Sequence, residues 1–293
     1  MPSVINTNVS SLLSQNALSK NSTALQNSME RLSTGVRINS AKDDAAGLGI
    51  SNTLTSQINS ANQGVRNLND GISLVQTAEG AITAAQEMAQ RILTLAVQGS
   101  NGTLGLSERT AIQSEMNTLL SAMDLISTRT TFSGISLLDT TVAATTATKF
   151  SLQASNTSTD KIDLDTLAFK MVGKTTGQAT AVNALIVHGD ITHSVAATAQ
   201  TKFREVATSA GTLIENLSKQ RSLLGAYQNQ IEYTVSNITD LSANLSAARS
   251  NVQDTDYASE TASLTKGQIL QQAATAMLAQ ANQMPNVILS LLK

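Results

Sequence analysis

The sequence has no cysteine, few aromatic rings, little charge and only two prolines. Its 293 residues include no Cys, no Trp, four Phe and three Tyr, and charged residues make up 14%, against about a quarter in typical domains. Without cysteine, disulfide frameworks, cysteine-ligated zinc and thiol nucleophiles are excluded. Because the large rings of ordinary cores are nearly absent, we expect long helices packed through small and aliphatic residues.

Charge and hydropathy exclude further classes of function. A net charge of −2 and a pI near 5.7 provide no basic surface for nucleic-acid phosphates. Apolar runs such as Ala184 to Val187 are far shorter than the roughly 20 residues that span a bilayer. The N-terminus has neither the charged nor the apolar region of a secretory signal peptide. We therefore expect no nucleic-acid partner, no membrane partner and no general secretory signal.

The first part of the chain has helical periodicity. Asp43-Asp44 precedes a long helical pattern, as acids do at helix starts, and the breaker cluster Gly99-Ser100-Asn101-Gly102 ends it. A further helix begins near Ser107-Glu108. Before Asp43, apolar residues recur at heptad spacing on one face. These residues are Leu18, Leu25, Met29 and Leu32.

Between about Thr130 and Gln200 the helical spacing disappears. Two segments, Phe150–Gln153 and Lys161–Thr166, alternate apolar and polar residues as half-buried strands do. We expect short β-hairpins here, followed by a loop-rich portion from about residue 175 to residue 199.

The second long helix carries the clearest pattern, with five apolar residues at steps of seven. Such a run predicts a coiled-coil seam along roughly 50 Å of helix. The residues are Leu217, Leu224, Ile231, Ile238 and Leu245. In the last helix two apolar sets recur with the same step: Leu270, Met277 and Met284, and, offset by four, Ala274, Ala281 and Ile288.

The stripes at the two ends of the chain have no local partner. Isolated amphipathic helices are marginal in water, so each stripe must pair with the other or with a neighbouring molecule. Spacing alone favours an intramolecular bundle, whereas terminal placement and low charge on the outer faces favour assembly. The patterns predict a mainly α fold, in which both termini form a long antiparallel coiled-coil or helical-bundle rod with short β-hairpins in the middle.

No group of residues predicts catalysis or a bound cofactor. The two histidines are five residues apart, which neither strand nor helix geometry brings into line, and a metal would need further ligands. Helix starts explain the acid pairs without acid–base chemistry, and the one Gly-x-Gly lacks a preceding strand. We expect no enzyme, catalytic residue, cofactor or metal. The groups considered are His188 with His193, Asp43 with Asp44, Asp254 with Asp256, and Gly47-Leu48-Gly49.

Several blocks along the chain resemble the bacterial flagellins. At the N-terminal end they are Asn6-Thr7-Asn8, Glu30 to Asn39, Ala41 to Gly47 and Asn69 to Ala81. At the C-terminal end they are Leu224-Gly225-Ala226 with Asn229, Asp254 to Glu260, and Gln268 to Ala273. The blocks are collinear and cover roughly residues 1–170 and 200–293, which makes the resemblance specific.

The resemblance implies an organisation in which the two halves of the chain fold back on each other. The termini form the inner core of a filament, and Leu18, Leu25, Met29, Leu32, Leu270, Met277, Met284 and Ile288 are its expected subunit-interface residues. Only a short stretch between the halves is unmatched, so we expect little or no outer domain. The implied segments are an N-terminal inner-core helix (1–40), a helical rod with β-hairpins (41–171), a variable surface segment (172–199), the rest of the rod (200–254) and a C-terminal inner-core helix (255–293).

The implied function is mechanical. A flagellin polymerises into an open helical filament that acts as the propeller for swimming, outside the bacterium, after export as an unfolded chain through the flagellar type III apparatus. The implied partners are other copies of the chain, the filament cap, the hook–filament junction proteins and an export chaperone that covers Leu270 to Leu292.

One segment, Gln90 to Gln98, resembles the region that a flagellin-sensing toll-like receptor of a host recognises. Arg91, Leu95 and Glu115 match its contact positions, while Thr94 stands where an acidic residue is common. Alternatively, these residues simply make filament contacts.

Three other functions are compatible with parts of the pattern. A hook–filament junction protein shares the terminal pattern, but it usually keeps less of the block from Asn69 to Ala81. A flagellin-like enzyme would need chemistry in the short middle, which lacks acid clusters and cysteine. The third alternative is a soluble coiled-coil adaptor. Deletion of residues 1–30 distinguishes it from a filament subunit, because the filament subunit should lose polymerisation and remain a soluble folded core.

Overall fold

The computed structural model describes residues 8–138, 148–169 and 196–291. Contacts divide the chain into a terminal unit, residues 1–58 with 243–293, and a central unit, residues 59–242. The elements in chain order are α1 (Val9–Thr34), α2 (Ala45–Gly99), α3 (Leu106–Arg129), β1 (Thr131–Phe132), β2 (Ile135–Ser136), β3 (Thr148–Gln153), β4 (Lys161–Asp165), a 3-10 turn (Thr166–Phe169), α4 (Ala196–Gln253) and α5 (Tyr257–Leu291). The predicted mainly α fold with small antiparallel strand pairs is confirmed.

Short polar side chains set the starts of the helices. The Asp44 carboxylate accepts the Gly47 N–H at 2.9 Å where α2 begins, and the Asp256 carboxylate accepts the Ala258 N–H at 2.9 Å where α5 begins. Such caps satisfy backbone donors that have no partner within the helix. Helix starts therefore account for these acids, as the sequence predicts. At the C-terminal end of α1, Gly35 has φ +74°, the left-handed conformation that often ends helices and favours glycine.

The core of the central unit lies between α2, α3 and α4. The apolar residues that α4 places at heptad spacing enter this core: Leu217, Leu224 and Ile231 are fully buried, and Ile238 is 6% exposed. Leu245, the last of the five predicted seam residues, is half-buried. From α2 and α3 the core receives Leu68, Val75, Ile82, Ile92, Met116 and Leu120.

The middle of the chain contains two antiparallel strand pairs, β1 with β2 and β3 with β4. The larger pair matches the two predicted strands to within a residue or two at each end. Phe150 of β3 packs edge to face against Phe169 of the 3-10 turn, with 5.3 Å between the ring centres. This is a favourable geometry for aromatic rings. The predicted variable segment, with His188 and His193, lies mostly outside the described residues.

The β3–β4 hairpin packs against α2 at two glycines of the helix. A Cβ atom at Gly64 would overlap the carbonyl oxygen of Ala154, and one at Gly71 would overlap the Leu152 side chain. Between them, the Asn67 amide donates to the Gln153 carbonyl at 3.1 Å. The absence of side chains at residues 64 and 71 therefore lets the hairpin approach the helix backbone closely.

Candidate interaction surface

In the terminal unit α1 and α5 pack antiparallel through a seam of small and polar residues. Gly267 is buried, and a Cβ there would lie 3.0 Å from Leu25 Cδ1, so the helices approach closely at this point. The Asn21 amide donates to the Gly267 carbonyl at 2.8 Å, and the Ser11 hydroxyl donates to Asn282 Oδ1 at 2.8 Å. Hydrogen bonds and a close approach at Gly267 thus contribute to this seam, and Leu25 of α1 packs against that glycine.

Asn8 joins the two helices through both atoms of its amide. Its Oδ1 accepts the Ser11 N–H at 3.0 Å and so caps α1, while its Nδ2 donates to the Ala281 carbonyl at 2.8 Å. Pro285 follows Ala281 by four residues within α5. Because proline has no N–H, it cannot supply the helical hydrogen bond to that carbonyl. Asn8 supplies the donor that Pro285 lacks.

The chain segments at the inner ends of the helix pair also bond to each other. The Arg37 N–H donates to the Gln253 carbonyl at 2.6 Å, and the Thr255 N–H donates to the Gly35 carbonyl at 3.0 Å. This short antiparallel bridge ties the link between α1 and α2 to the link between α4 and α5. In the first link the pKa of Asp43 is lowered, chiefly because its carboxylate accepts the Ser40 N–H at 2.9 Å.

The large apolar side chains of α1 and α5 are mostly directed away from the seam. Residues on both helices leave between 47% and 68% of their surface exposed. Leu13 from α1 and Leu270 with Met277 from α5 line a shared groove of about 440 Å³, which Ala17 and Ala273 complete. Soluble monomers rarely expose contiguous apolar surface of this kind unless it contacts a partner. The exposed set is Val9, Leu12, Leu13, Met29, Ile269, Leu270 and Met277, and we call the part of it that lines the groove, Leu13, Leu270 and Met277, the apolar face.

The residues predicted for the inner core divide between the seam and the apolar face. Leu18, Leu25 and Leu32 are half-buried on the seam side of α1, and Met29 is 56% exposed. On α5 the seam contains the predicted companions Ala274, half-buried, and Ala281, buried. Leu270 and Met277 belong instead to the apolar face. The side chains of Met284 and Ile288 lie outside the described residues.

The receptor-like motif is only partly on the surface. Arg91 and Glu115 form an exposed ion pair, with the guanidinium Nη2 at 2.6 Å from the carboxylate. Leu95 is 1% exposed and packs in the core of the central unit. In this conformation the Leu95 side chain is therefore not at the surface, unlike the Arg91–Glu115 pair.

Within the described parts of the chain, no three acids or histidines converge as metal ligands. Among the helices of those same parts, none combines the length and the apolar character that crossing a membrane requires.

Comparison with known proteins agrees with this geometry. Residues 5–143 match the bacterial flagellin N-terminal helical region, and residues 207–292 match the bacterial flagellin C-terminal helical region. The Flagellin of Bacillus subtilis is 40% identical over 99% of both chains. The chain belongs to the bacterial flagellin family. The Flagellin of Xenorhabdus nematophila is 42% identical to this flagellin over the whole of both chains.

The fold of this flagellin also occurs in a solved structure. A putative flagellar hook-associated protein from Vibrio parahaemolyticus superposes with a TM-score of 0.57 over 73% of this flagellin and 98% of that chain. At 11% identity, this likeness shows the fold alone.

Sequence reasoning missed three contributors to these sites. Asn8 carries a detectable signal, because an Asn just before a helix is a preferred cap and Pro285 leaves an unpaired carbonyl four residues earlier. Gly64 and Gly71, seven residues apart, mark one face of α2 as open to close packing. Nothing in the sequence pairs that face with Ala154, because this contact depends on how the hairpin returns to the helix.

Proposed function

We propose that this flagellin polymerises helically into the flagellar filament that propels the cell. The observation that supports this function is the apolar face of the terminal helix pair. The α5 side of the internal seam consists of small residues such as Gly267 and Ala281, and the monomer leaves larger side chains such as Leu13 and Met277 exposed. Copies that stack through this face bury that surface, at about 25 cal/mol for each Å² of apolar area.

The same proposal accounts for the composition of the outer surfaces. Exposed positions on these helices are filled largely by Ser, Thr, Asn and Gln, which can be buried between subunits without desolvating a charge. A contact between two different faces of neighbouring copies grows as an open helix when its rotation does not close into a ring. Each copy then buries its apolar face against the neighbours that follow it.

Export as an unfolded chain through the flagellar type III apparatus is part of the proposal. The chain has no cysteine, so no disulfide can hinder unfolding before export. We propose that an export chaperone covers the stretch from Leu270 to Leu292 until assembly, because its exposed apolar residues would otherwise associate early. The filament then lies outside the cell, in contact with its cap and junction proteins.

The exposed Arg91–Glu115 pair is the part of the receptor-like motif that a host receptor could contact. We propose that recognition, where it occurs, depends on this pair and involves Leu95 only through the packing beneath it. Replacement of Glu115 by Gln should then lower receptor signalling while changing stability by no more than about 1 kcal/mol, since exposed ion pairs contribute little.

The test of the filament function changes one side chain on the apolar face. Met277→Glu should raise the critical concentration for salt-induced assembly by roughly tenfold or more, because assembly would bury an unpaired carboxylate. Negative-stain microscopy and sedimentation measure the outcome. The matched control is Gln268→Glu, which places the same side chain at an exposed polar position of the same helix.

Normal filaments from Met277→Glu, or monomers of the unchanged chain under every condition, would refute the assembly role. The point variant is sharper than deletion of residues 1–30. That deletion also removes the α1 side of the seam and leaves α5 without its intramolecular partner. A hook–filament junction role predicts a different result, since the purified chain would bind filament ends without forming long filaments itself.

A further inference from the structure

The loop between α2 and α3 contains the one Asn-Gly dipeptide of the sequence, Asn101-Gly102. We propose that Asn101 is a site of spontaneous deamidation, which converts this neutral residue to an acid in the folded protein. Among the described residues the loop leaves the reacting groups accessible, whereas the Asn39-Ser40 pair of another loop is protected by hydrogen bonds.

The chemistry needs only water. The backbone nitrogen of Gly102 attacks Cγ of Asn101, and the side-chain amide leaves as ammonia, which yields a five-membered succinimide. Water then adds to one of the two ring carbonyls and opens the ring. Opening at one carbonyl produces aspartate, and opening at the other produces isoaspartate, in which the main chain runs through the side-chain carbon.

The geometry of the loop leaves the attacking nitrogen free. Asn101, Gly102 and Thr103 are exposed, and in the described residues no hydrogen bond engages the Gly102 N–H. The Asn101 Oδ1 atom accepts the Thr103 N–H at 3.3 Å, so the side chain folds back over the peptide that follows it. This bond also polarises the Asn101 carbonyl. Because glycine has no Cβ, no side chain of its own obstructs the approach of its nitrogen to Cγ.

In a second loop of the same molecule, hydrogen bonds protect an asparagine from deamidation. Asn39-Ser40 lies between α1 and α2, but the Ser40 N–H donates to Asp43 at 2.9 Å. The Asn39 side-chain amide donates to Glu30 Oε1 at 2.6 Å. Both reacting groups are therefore held by hydrogen bonds. The remaining Asn-Ser pairs, which begin at Asn21, Asn27 and Asn59, lie within helices, where the backbone nitrogen is also bonded.

Deamidation adds a negative charge to the exposed loop between α2 and α3. Each event lowers the formal net charge of −2 by one unit. The new carboxylate lies in the loop, two residues after α2 ends at Gly99 and five residues before α3 begins at Leu106. The amide of Gln200, at the start of α4, lies against Gly102 and is a ready hydrogen-bond donor. Because residue 101 is exposed and lies outside the helices, we expect the modification to accumulate without unfolding the chain.

The experiment ages the purified full-length protein in mildly alkaline buffer at body temperature. Peptide mapping by mass spectrometry follows the one-dalton gain at each asparagine. Electron-transfer fragmentation separates aspartate from isoaspartate. We expect Asn101 to react several-fold faster than Asn39. In the urea-unfolded chain, by contrast, Asn39 should react faster than in the folded protein, because it loses its hydrogen bonds.

Two variants keep the outcome decisive. Gly102→Ala should slow the reaction at Asn101 several-fold, and the new methyl group has only the flexible end of Gln200 to displace. Should that variant misfold by circular dichroism, Asn101→Gln takes its place, because the longer side chain cyclises more slowly. Equal rates at Asn101 and Asn39 in the folded protein, or an unchanged rate in the folded variant, would overturn the proposal.

Discussion

At the scale of single residues, a few side chains decide how closely elements approach. Asn8 and Pro285 form a complementary pair, in which the proline removes a backbone donor and the asparagine replaces it on Ala281. Gly64 contributes in the opposite way, by having no side chain where the Ala154 carbonyl arrives. In both cases one residue type is required for a local reason that composition does not reveal.

Replacement of Asn8 should destabilise the terminal helix pair. Asn8→Ala loses the cap of α1 and leaves the Ala281 carbonyl without its donor, at a cost of about 1–3 kcal/mol. Asn8→Asp keeps the capping oxygen and should cost less. Urea unfolding followed by circular dichroism measures both. In a Pro285→Ala background a backbone N–H returns to Ala281, so the effect of Asn8→Asp should shrink. An undiminished effect in that background would contradict the assigned pairing.

Replacement of Gly64 should loosen the β3–β4 hairpin. The added methyl group of Gly64→Ala overlaps the Ala154 carbonyl, and we expect a loss of about 1–3 kcal/mol in the free energy of unfolding from overpacking. Gly80→Ala is the control, because a Cβ there meets nothing within 4 Å. It lies in the same helix and should be neutral or slightly stabilising. Similar losses in the two variants would show that helix propensity alone is involved.

At the scale of elements, α4 shows how far periodicity can be trusted. Its heptad pattern predicts a buried seam, and the residues from Leu217 to Ile238 that follow the pattern lie in the core. The last helix shows the limit. Its two apolar sets have the same period, so spacing cannot tell which one faces α1. The seam contains Ala274 and Ala281 because Gly267 brings the helices too close for the larger set.

Two adjacent leucines of α4 should respond very differently to truncation. Leu224 is fully buried and Leu223 is 41% exposed. We expect Leu224→Ala to lower the free energy of unfolding by about 2–5 kcal/mol through loss of burial and a residual cavity. Leu223→Ala should lower it by less than about 1 kcal/mol. Thermal and urea unfolding compare the two, and equal losses would mean that α4 packs in another register.

At the scale of the whole molecule, the two units differ in what holds them together. The central unit has an extended apolar core from α2, α3 and α4. In the terminal unit the helix pair joins through small residues, hydrogen bonds and half-buried leucines of α1, and many of its other large apolar side chains are exposed. Since burial of apolar area is the main stabilising contribution, the helix pair should be the weaker part of the monomer and should gain most from neighbours.

Hydrogen exchange should show this difference directly. In the monomer we expect amides of α1 and α5 to exchange much faster than those around Val75 and Leu217, because local opening exposes little additional apolar surface there. After polymerisation the protection of α1 and α5 should rise strongly, while that of the central core changes little. Mass spectrometry on monomer and sedimented filament measures both states. High protection of α1 in the monomer would contradict the assigned weakness.

The sequence by itself determined the helical class, the breaks between helices and the buried face of α4. These features depend on neighbours along the chain: breaker residues, caps and a repeat that one helix can satisfy alone. Only the tertiary structure decided which face of α5 meets α1 and where the hairpin lies on α2. Those features depend on contacts between residues far apart in the chain, and their steric fit has no signature in local spacing. The low content of aromatic and charged residues in the whole sequence agrees with this division. The helix pair packs through small and polar residues, and its apolar face is left for other copies.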